Sequence, residues 1–207
     1  MTSEPSRNPF SKLPLHAAAT TGDLDVLRAG IAAGMDLDAR DANGQTAVMA
    51  ATVARQTEAV RVLLEAGADV DIRDERLDNP FLYAGAEGLL DILRLANEAG
   101  ADPALTNRFG GIALIPASER GHVEVVRYLL AESDVDVDHV NRLGWTALLE
   151  AIILSDGGPA HQEIVGLLLE HGADPALPDG EGVTPLTHAR SRGYDRIVAL
   201  LEAAEAE

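Results

Sequence analysis

Six histidines and one run of alternating aspartates are the side chains of this sequence best suited to chemistry. His16, His122, His139, His161, His171 and His188 could serve as metal ligands or proton acceptors. No two of them form a His-x-x-x-His pair or any other zinc spacing. His171 directly precedes Gly172 at an expected helix end, where a partly positive imidazole complements the helix dipole. Asp134, Asp136 and Asp138, followed by His139, alternate as carboxylates holding a hard cation such as calcium would. The same Asp-x-Asp pattern stands at Asp36/Asp38 and Asp69/Asp71, so it reads as a recurring structural device and not as a metal loop. Neither Gly-x-x-x-x-Gly-Lys-Ser/Thr nor Gly-x-Ser-x-Gly occurs, and the absence of cysteine removes disulfides, thiolate metal sites and a cysteine nucleophile. The expectation is a protein that is not an enzyme, with no catalytic residue, cofactor or metal.

Charge narrows the partners. Sixteen Lys and Arg against 34 Asp and Glu give a net charge of −18. Nucleic acid is disfavoured, because a phosphate backbone needs a positive surface. A protein partner, of neutral or basic character, is favoured, although acid also simply keeps a repeat surface soluble. No stretch approaches the run of about 18 apolar residues that a membrane helix requires, and residues 1–10 contain no signal-type apolar run. A cytoplasmic protein without membrane contact is expected, and a monomer.

The elements that must position these side chains follow from a repeat. Leu15, Val48, Phe81, Leu114, Leu148 and Leu186 are equivalent, at spacings of 33, 33, 33, 34 and 38 residues. An alanine stands three residues after each: Ala18, Ala51, Ala84, Ala117, Ala151 and Ala189. Small residues in register imply helices in close contact. Gly22, Gly88, Gly121 and Gly193 then end a first helix, and Arg55 in that place implies a different turn in the second copy. A second helix with apolar residues at helical spacing closes at Gly34, Gly67, Gly100 and Gly172. Asx-x-x-Gly turns precede the next first helix at 41–44, 107–110, 141–144 and 179–182. Thr46, Asn79, Thr146 and Thr184 stand as N-caps, with Pro14, Pro80 and Pro185 as first helical residues. The 34-residue step predicts a bulge near 131–136, and the 38-residue step places five extra residues near 155–160, between the two helices of the fifth copy.

A 33-residue period of helix, turn, helix and hairpin resembles the ankyrin repeat, whose signature is Thr-Pro-Leu-His-x-Ala. The resemblance covers roughly Ser11 to Glu202. It is imperfect in every copy: Leu13-Pro14-Leu15-His16-Ala17-Ala18 lacks the threonine, and Thr184-Pro185-Leu186-Thr187 lacks the histidine. Met49, Leu82, Ile115 and Leu149 replace that histidine elsewhere, so apolar packing must substitute for its hydrogen bonds. The fifth copy looks like those of small, single-domain bacterial members of the family. The resemblance implies an all-α repeat solenoid of about six helix-turn-helix units with β-hairpin or turn fingers and a polar C-terminal cap. A flexible leader, 1–10, would precede repeats at 11–40, 41–73, 74–106, 107–140, 141–178 and 179–207. It also makes His16 structural, and His122 a common first residue of a second helix.

In that family the fingers and first helices line a concave groove that grips another protein. Among the residues at those positions, Phe109, Leu143 and Trp145 are apolar where a turn should be polar, and Arg76, Arg108 and Arg142 stand beside them. Tyr83, Arg120 and Glu150 lie on or at the end of neighbouring first helices. Aromatic side chains with arginine are the composition of interface hot spots. These nine residues are the candidate partner-binding set for a scaffold or adaptor. The alternatives are a regulator, inhibitor or protector of one enzyme, and, further off, a cation- or small-ligand-binding protein.

Overall fold

The computed structural model describes residues 15–206, and the expected leader lies outside them. Twelve helices are paired along the chain: α1 (Leu15–Thr21) with α2 (Leu24–Ala32), α3 (Ala47–Val53) with α4 (Thr57–Glu65), and α5 (Pro80–Glu87) with α6 (Leu90–Glu98). They continue as α7 (Leu114–Glu119) with α8 (Val123–Glu132), α9 (Ala147–Ile153) with α10 (Pro159–Glu170), and α11 (Pro185–Arg192) with α12 (Asp195–Ala204). The chain is an all-α solenoid, and no strand is present among the described residues. The fingers are closed by turns and not by a β ladder.

Local chemistry sets the helix starts. Thr46, Asn79, Thr146 and Thr184 each accept a hydrogen bond from the N–H three residues on, which satisfies an otherwise orphaned donor. Pro80 and Pro185 open α5 and α11, where the missing N–H costs nothing. The six register alanines are all at most 3% exposed, and they lie where successive first helices meet. Leucine, isoleucine and valine of the second helices, such as Leu63, Leu93, Leu129 and Leu168, complete one continuous core behind them.

Two irregularities resolve differently from expectation. Arg55 does not change its turn: it adopts φ 58, beside φ 70 at Gly22 and Gly88 and 76 at Gly121. The backbone bond that closes the turn is kept, Gln56 N–H donating to the Ala51 carbonyl at 2.9 Å as Leu89 N–H does to Ala84. The Schellman turn needs that left-handed residue whatever its side chain, so the arginine carries the strain. Arg55→Gly is expected to raise stability by about 1 kcal/mol, read from urea unfolding at unchanged m-value; a loss would show that the weak Arg55–Glu87 contact at 3.7 Å matters more. The 34-residue step, expected as a bulge, is absorbed by a longer α8 that ends without glycine. Ser133 is extended there, and its hydroxyl donates to the Leu129 carbonyl.

The 155–160 insertion is tied to α12 and to α10. Tyr194 O–H donates to the Ser155 carbonyl at 2.6 Å, and Gln162 Nε2 to the Gly157 carbonyl at 2.7 Å. Gly157 lies so close under the Tyr194 ring, at φ 68, that a Cβ would sit 2.6 Å from it. At the end of the stack, α12 exposes Asp195, Arg196 and Glu202, the polar outer face that a terminal repeat needs.

Candidate functional site

Five fingers, 41–45, 74–78, 107–111, 141–145 and 179–183, share one construction. The first residue, Asp41, Asp74, Asn107, Asn141 or Asp179, donates its N–H to the carbonyl four residues on. Its side-chain oxygen accepts the N–H groups two and four residues on, as Asn141 Oδ1 does from Leu143 at 2.9 Å and Trp145 at 3.1 Å. A left-handed residue follows at the fourth position: Gly44, Gly110, Gly144 and Gly182, but Leu77 (φ 62) in the second finger. The Asx-to-glycine pattern therefore misses this turn, although Arg76 marks the finger in the sequence.

Neighbouring fingers stack backbone on backbone at the glycines. A Cβ at Gly144 would lie 2.9 Å from Gly180 N, and one at Gly44 3.2 Å from Glu75 N. The Glu75 and Arg142 N–H groups donate to Asn43 and Phe109 carbonyls of the preceding finger. Among the described residues the fifth finger makes no such backbone bond to the fourth, nor the third to the second, the finger with Leu77. A cavity of about 120 Å³ opens at that junction, lined by Arg76, Asp78, Tyr83, Arg108, Phe109 and Arg120 among others.

A second cavity of about 180 Å³ adjoins it between α7, α9 and the 107–111 and 141–145 fingers. Phe109, Asn107, Pro116 and Glu119 line both. The second is walled by Phe109, Ile115, Leu143 and Leu154 and holds Glu119 and Glu150, with no lysine or arginine in its lining. Phe109, Leu143 and Leu154 are 54%, 57% and 48% exposed, a run of large apolar side chains facing solvent.

Seven of the nine candidate residues thus meet on two adjoining cavities. The other two are elsewhere. Arg142 Nη1 donates to the Arg108 carbonyl at 2.9 Å and braces one finger on the next, as Arg40 and Arg73 do on the carbonyls of Arg73 and Thr106. Trp145 is half-buried and lines neither cavity. Arg120 pairs with Glu87, whereas Arg76 and Arg108 form no ion pair among the described residues; Arg108 lies over the Phe109 ring at 4.6 Å.

Glu150 differs most from a solvent-facing helix edge. It is only 5% exposed, and Asn141 Nδ2 donates to its Oε1 at 2.7 Å. Burial, together with the nearby Glu119 charge, pushes its carboxyl up to about 7, although the Asn141 bond favours the ionised form. Its partner sits nine residues upstream, the separation of Asp179 and His188, which pair at 2.7 Å in the last repeat. That shared spacing was the sequence signal for Asn141, which the composition of the fingertips did not reveal. Asp78 in the first cavity is also raised, by burial and the Asp74 charge, against the opposing pull of Arg76, Arg108 and Arg120.

The alternating aspartates and three of the six histidines join one repeat to the next. Asp38, Asp71 and Asp138 accept the N–H groups of Asp69, Asp102 and Asp174. His16, His122 and His161 reach the carbonyls of Gln45, Ala86 and Glu119, each in an adjacent repeat, and His139 reaches the Gly110 carbonyl within its own. His161 is thus the counterpart of His122, displaced in sequence by the insertion. Among the described residues no helix is long and apolar enough to cross a membrane.

The comparisons agree with this architecture. The family model for ankyrin repeats (3 copies) matches residues 2–74 and 81–179. The chain is 45% identical over 189 residues to the putative ankyrin repeat protein YahD of Escherichia coli (strain K12), covering 91% of this chain and 94% of that one. An ankyrin repeat domain from Acinetobacter baumannii AYE superposes with a TM-score of 0.90 at 54% identity, over 92% of this chain and 97% of its own. The ankyrin repeat domain of Bcl-3, a member of the IkappaB family, gives a TM-score of 0.84 at 26% identity, over 95% and 88% of the two chains. Helix pairs, stacked turn fingers and register alanines over the same length place this chain in the ankyrin repeat family.

Proposed function

We propose that the protein is a non-enzymatic scaffold or adaptor that binds a partner protein through the groove formed by the third to fifth repeats. One observation carries this reading. Phe109, Leu143 and Leu154 expose apolar surface around a double cavity rimmed by Arg76 and Arg108, two cations with no ion-pair partner among the described residues. A buried apolar centre beside arginine is where interfaces concentrate their energy. The ankyrin fold, generally a protein-interaction module, supports the same reading.

Phe109→Ser combined with Leu143→Ser tests it. Both side chains are more than half exposed, so the helical signal and melting temperature should change little. Capture of the partner from the source cells should fall at least tenfold. Arg61→Ala, on the second-helix face remote from the groove, is the control and should leave capture intact. Undiminished capture by the double variant would place the binding surface elsewhere.

A further inference from the structure

We propose that the cavity between α7 and α9 receives a lysine side chain of the bound protein, its methylene stem against Phe109, Ile115, Leu143 and Leu154 and its ammonium on Glu119 and Glu150. This rests on the groove being the binding surface and adds the chemistry of what enters it.

The first support is the shape and polarity of the cavity. Its volume of about 180 Å³ accommodates five heavy atoms at roughly 30 Å³ each. Three aliphatic walls and one aromatic wall suit a methylene chain, and an aromatic face also attracts an ammonium group. The only charged residues lining it are Glu119 and Glu150. The adjoining cavity, with Arg76, Arg108 and Arg120, has the opposite character.

Glu150 supplies the second. It is 95% buried by the complement of its 5% exposure, yet only Oε1 is hydrogen-bonded, to Asn141. Oε2 accepts no hydrogen bond from the described residues, although the side chain lines the cavity. That oxygen stays open to the cavity and is not sealed in the core, and an incoming ammonium offers it three donors and the opposite charge. The net charge of −18 also favours approach of a basic partner.

The charged surroundings of Glu150 are defined on each packed element. Glu119 faces it from α7. On α11, His188 is held by Asp179 and Arg192 reaches the Ile153 carbonyl. On α10, His161 bonds the Glu119 carbonyl, and the finger presents neutral Asn141. Among the described residues no cation is engaged with the Glu150 carboxylate, and the ligand provides one. With the Glu150 carboxyl near 7, binding is weak while it is protonated and strengthens as it ionises.

The test is a titration of the whole protein, followed by amide chemical shifts, with acetyl-Ala-Lys-Ala-amide and its norleucine counterpart. The lysine peptide should give saturable shifts centred on Phe109, Leu143, Glu150 and Leu154. Its affinity should rise about tenfold from pH 6 to pH 8, as a group with a pKa near 7 goes from about a tenth to about nine tenths ionised. Glu150→Gln should weaken it at least tenfold at pH 8 and flatten its pH dependence. Equal binding of the norleucine peptide, unchanged binding by Glu150→Gln, or shifts scattered away from the cavity would overturn the proposal. Partner capture that depends on Phe109 and Leu143 but no response to the lysine peptide would remove this inference alone. Capture that ignores those two residues would remove the groove as well.

Discussion

Glu150→Gln is expected to stabilise the protein by about 3 kcal/mol above pH 8 and to change it little near pH 4. The wild-type carboxyl rises from 4.5 to about 7 on folding, because burial and Glu119 penalise its charge. The folded state therefore holds the proton more tightly than the unfolded chain. The stabilisation from this group is complete below about pH 4.5. It is lost progressively as pH rises through the folded value near 7 and stays lost above it. That interval, at about 1.4 kcal/mol per pH unit, amounts to about 3 kcal/mol. Glutamine keeps an oxygen for the Asn141 bond and carries no charge to bury. Asp71, Asp78 and Asp138 also have raised carboxyls, so the informative quantity is the variant minus the wild type. Urea unfolding at pH 5 and pH 8 measures it. Parallel stability curves for the two proteins would show that Glu150 is ionised as readily in the fold as outside it. Curves that diverge above pH 5 would show stability given up where a carboxylate is buried without a counter-ion.

Gly144→Ala should destabilise the protein by roughly 2–4 kcal/mol, and Gly182→Ala by only about 1 kcal/mol. The two glycines share a left-handed backbone, φ 78 and φ 80, so the conformational penalty of a Cβ is common to both. Only Gly144 has a finger stacked against it. Its added methyl would lie 2.9 Å from Gly180 N and 3.1 Å from Gly180 Cα, whereas nothing stands within 4 Å of a methyl on Gly182. A backbone neighbour cannot rotate aside, so the last finger has to move off. The interface between α9 and α11 then loosens, and amide exchange in α11 and α12 should accelerate more than in α3 and α4. Repeat stacks depend on each neighbour interface, which makes such local damage visible at the end of the array. Equal losses for the two variants would mean that finger stacking contributes nothing measurable.

Much of the scaffold was legible along the chain because the repeat states its own constraints. Ala18 to Ala189 recur in register because each lies under the next helix, and their burial in the structure has that single cause. Thr46, Asn79, Thr146 and Thr184 act as N-caps because a cap is local: side chain and N–H are three residues apart. Arg55 and Leu77 were misread or passed over for the converse reason. A missing glycine suggests a different turn, yet the tertiary stack imposes the left-handed conformation on whatever residue stands there.

The groove was legible in part. Phe109 and Leu143 betrayed themselves as apolar residues in turns, and they are exposed. Arg142 and Trp145 have the same hot-spot composition, but composition cannot tell an arginine that binds a partner from one that braces the Arg108 carbonyl.

By itself, then, the sequence determined the period, the helix pairs, the caps, the family and the acidic character of the protein, since each rests on spacing or on charge counted along the chain. Only the tertiary structure decided that two cavities of contrasting character open side by side, and that Glu150 is buried on one of them. Burial depends on which residues close over a side chain: Glu119 lies on the preceding first helix, α7, and Leu154 ends Glu150's own helix, α9. The pKa of a carboxylate, and with it the ligand that it can hold, follows from that enclosure and not from the letter in the sequence.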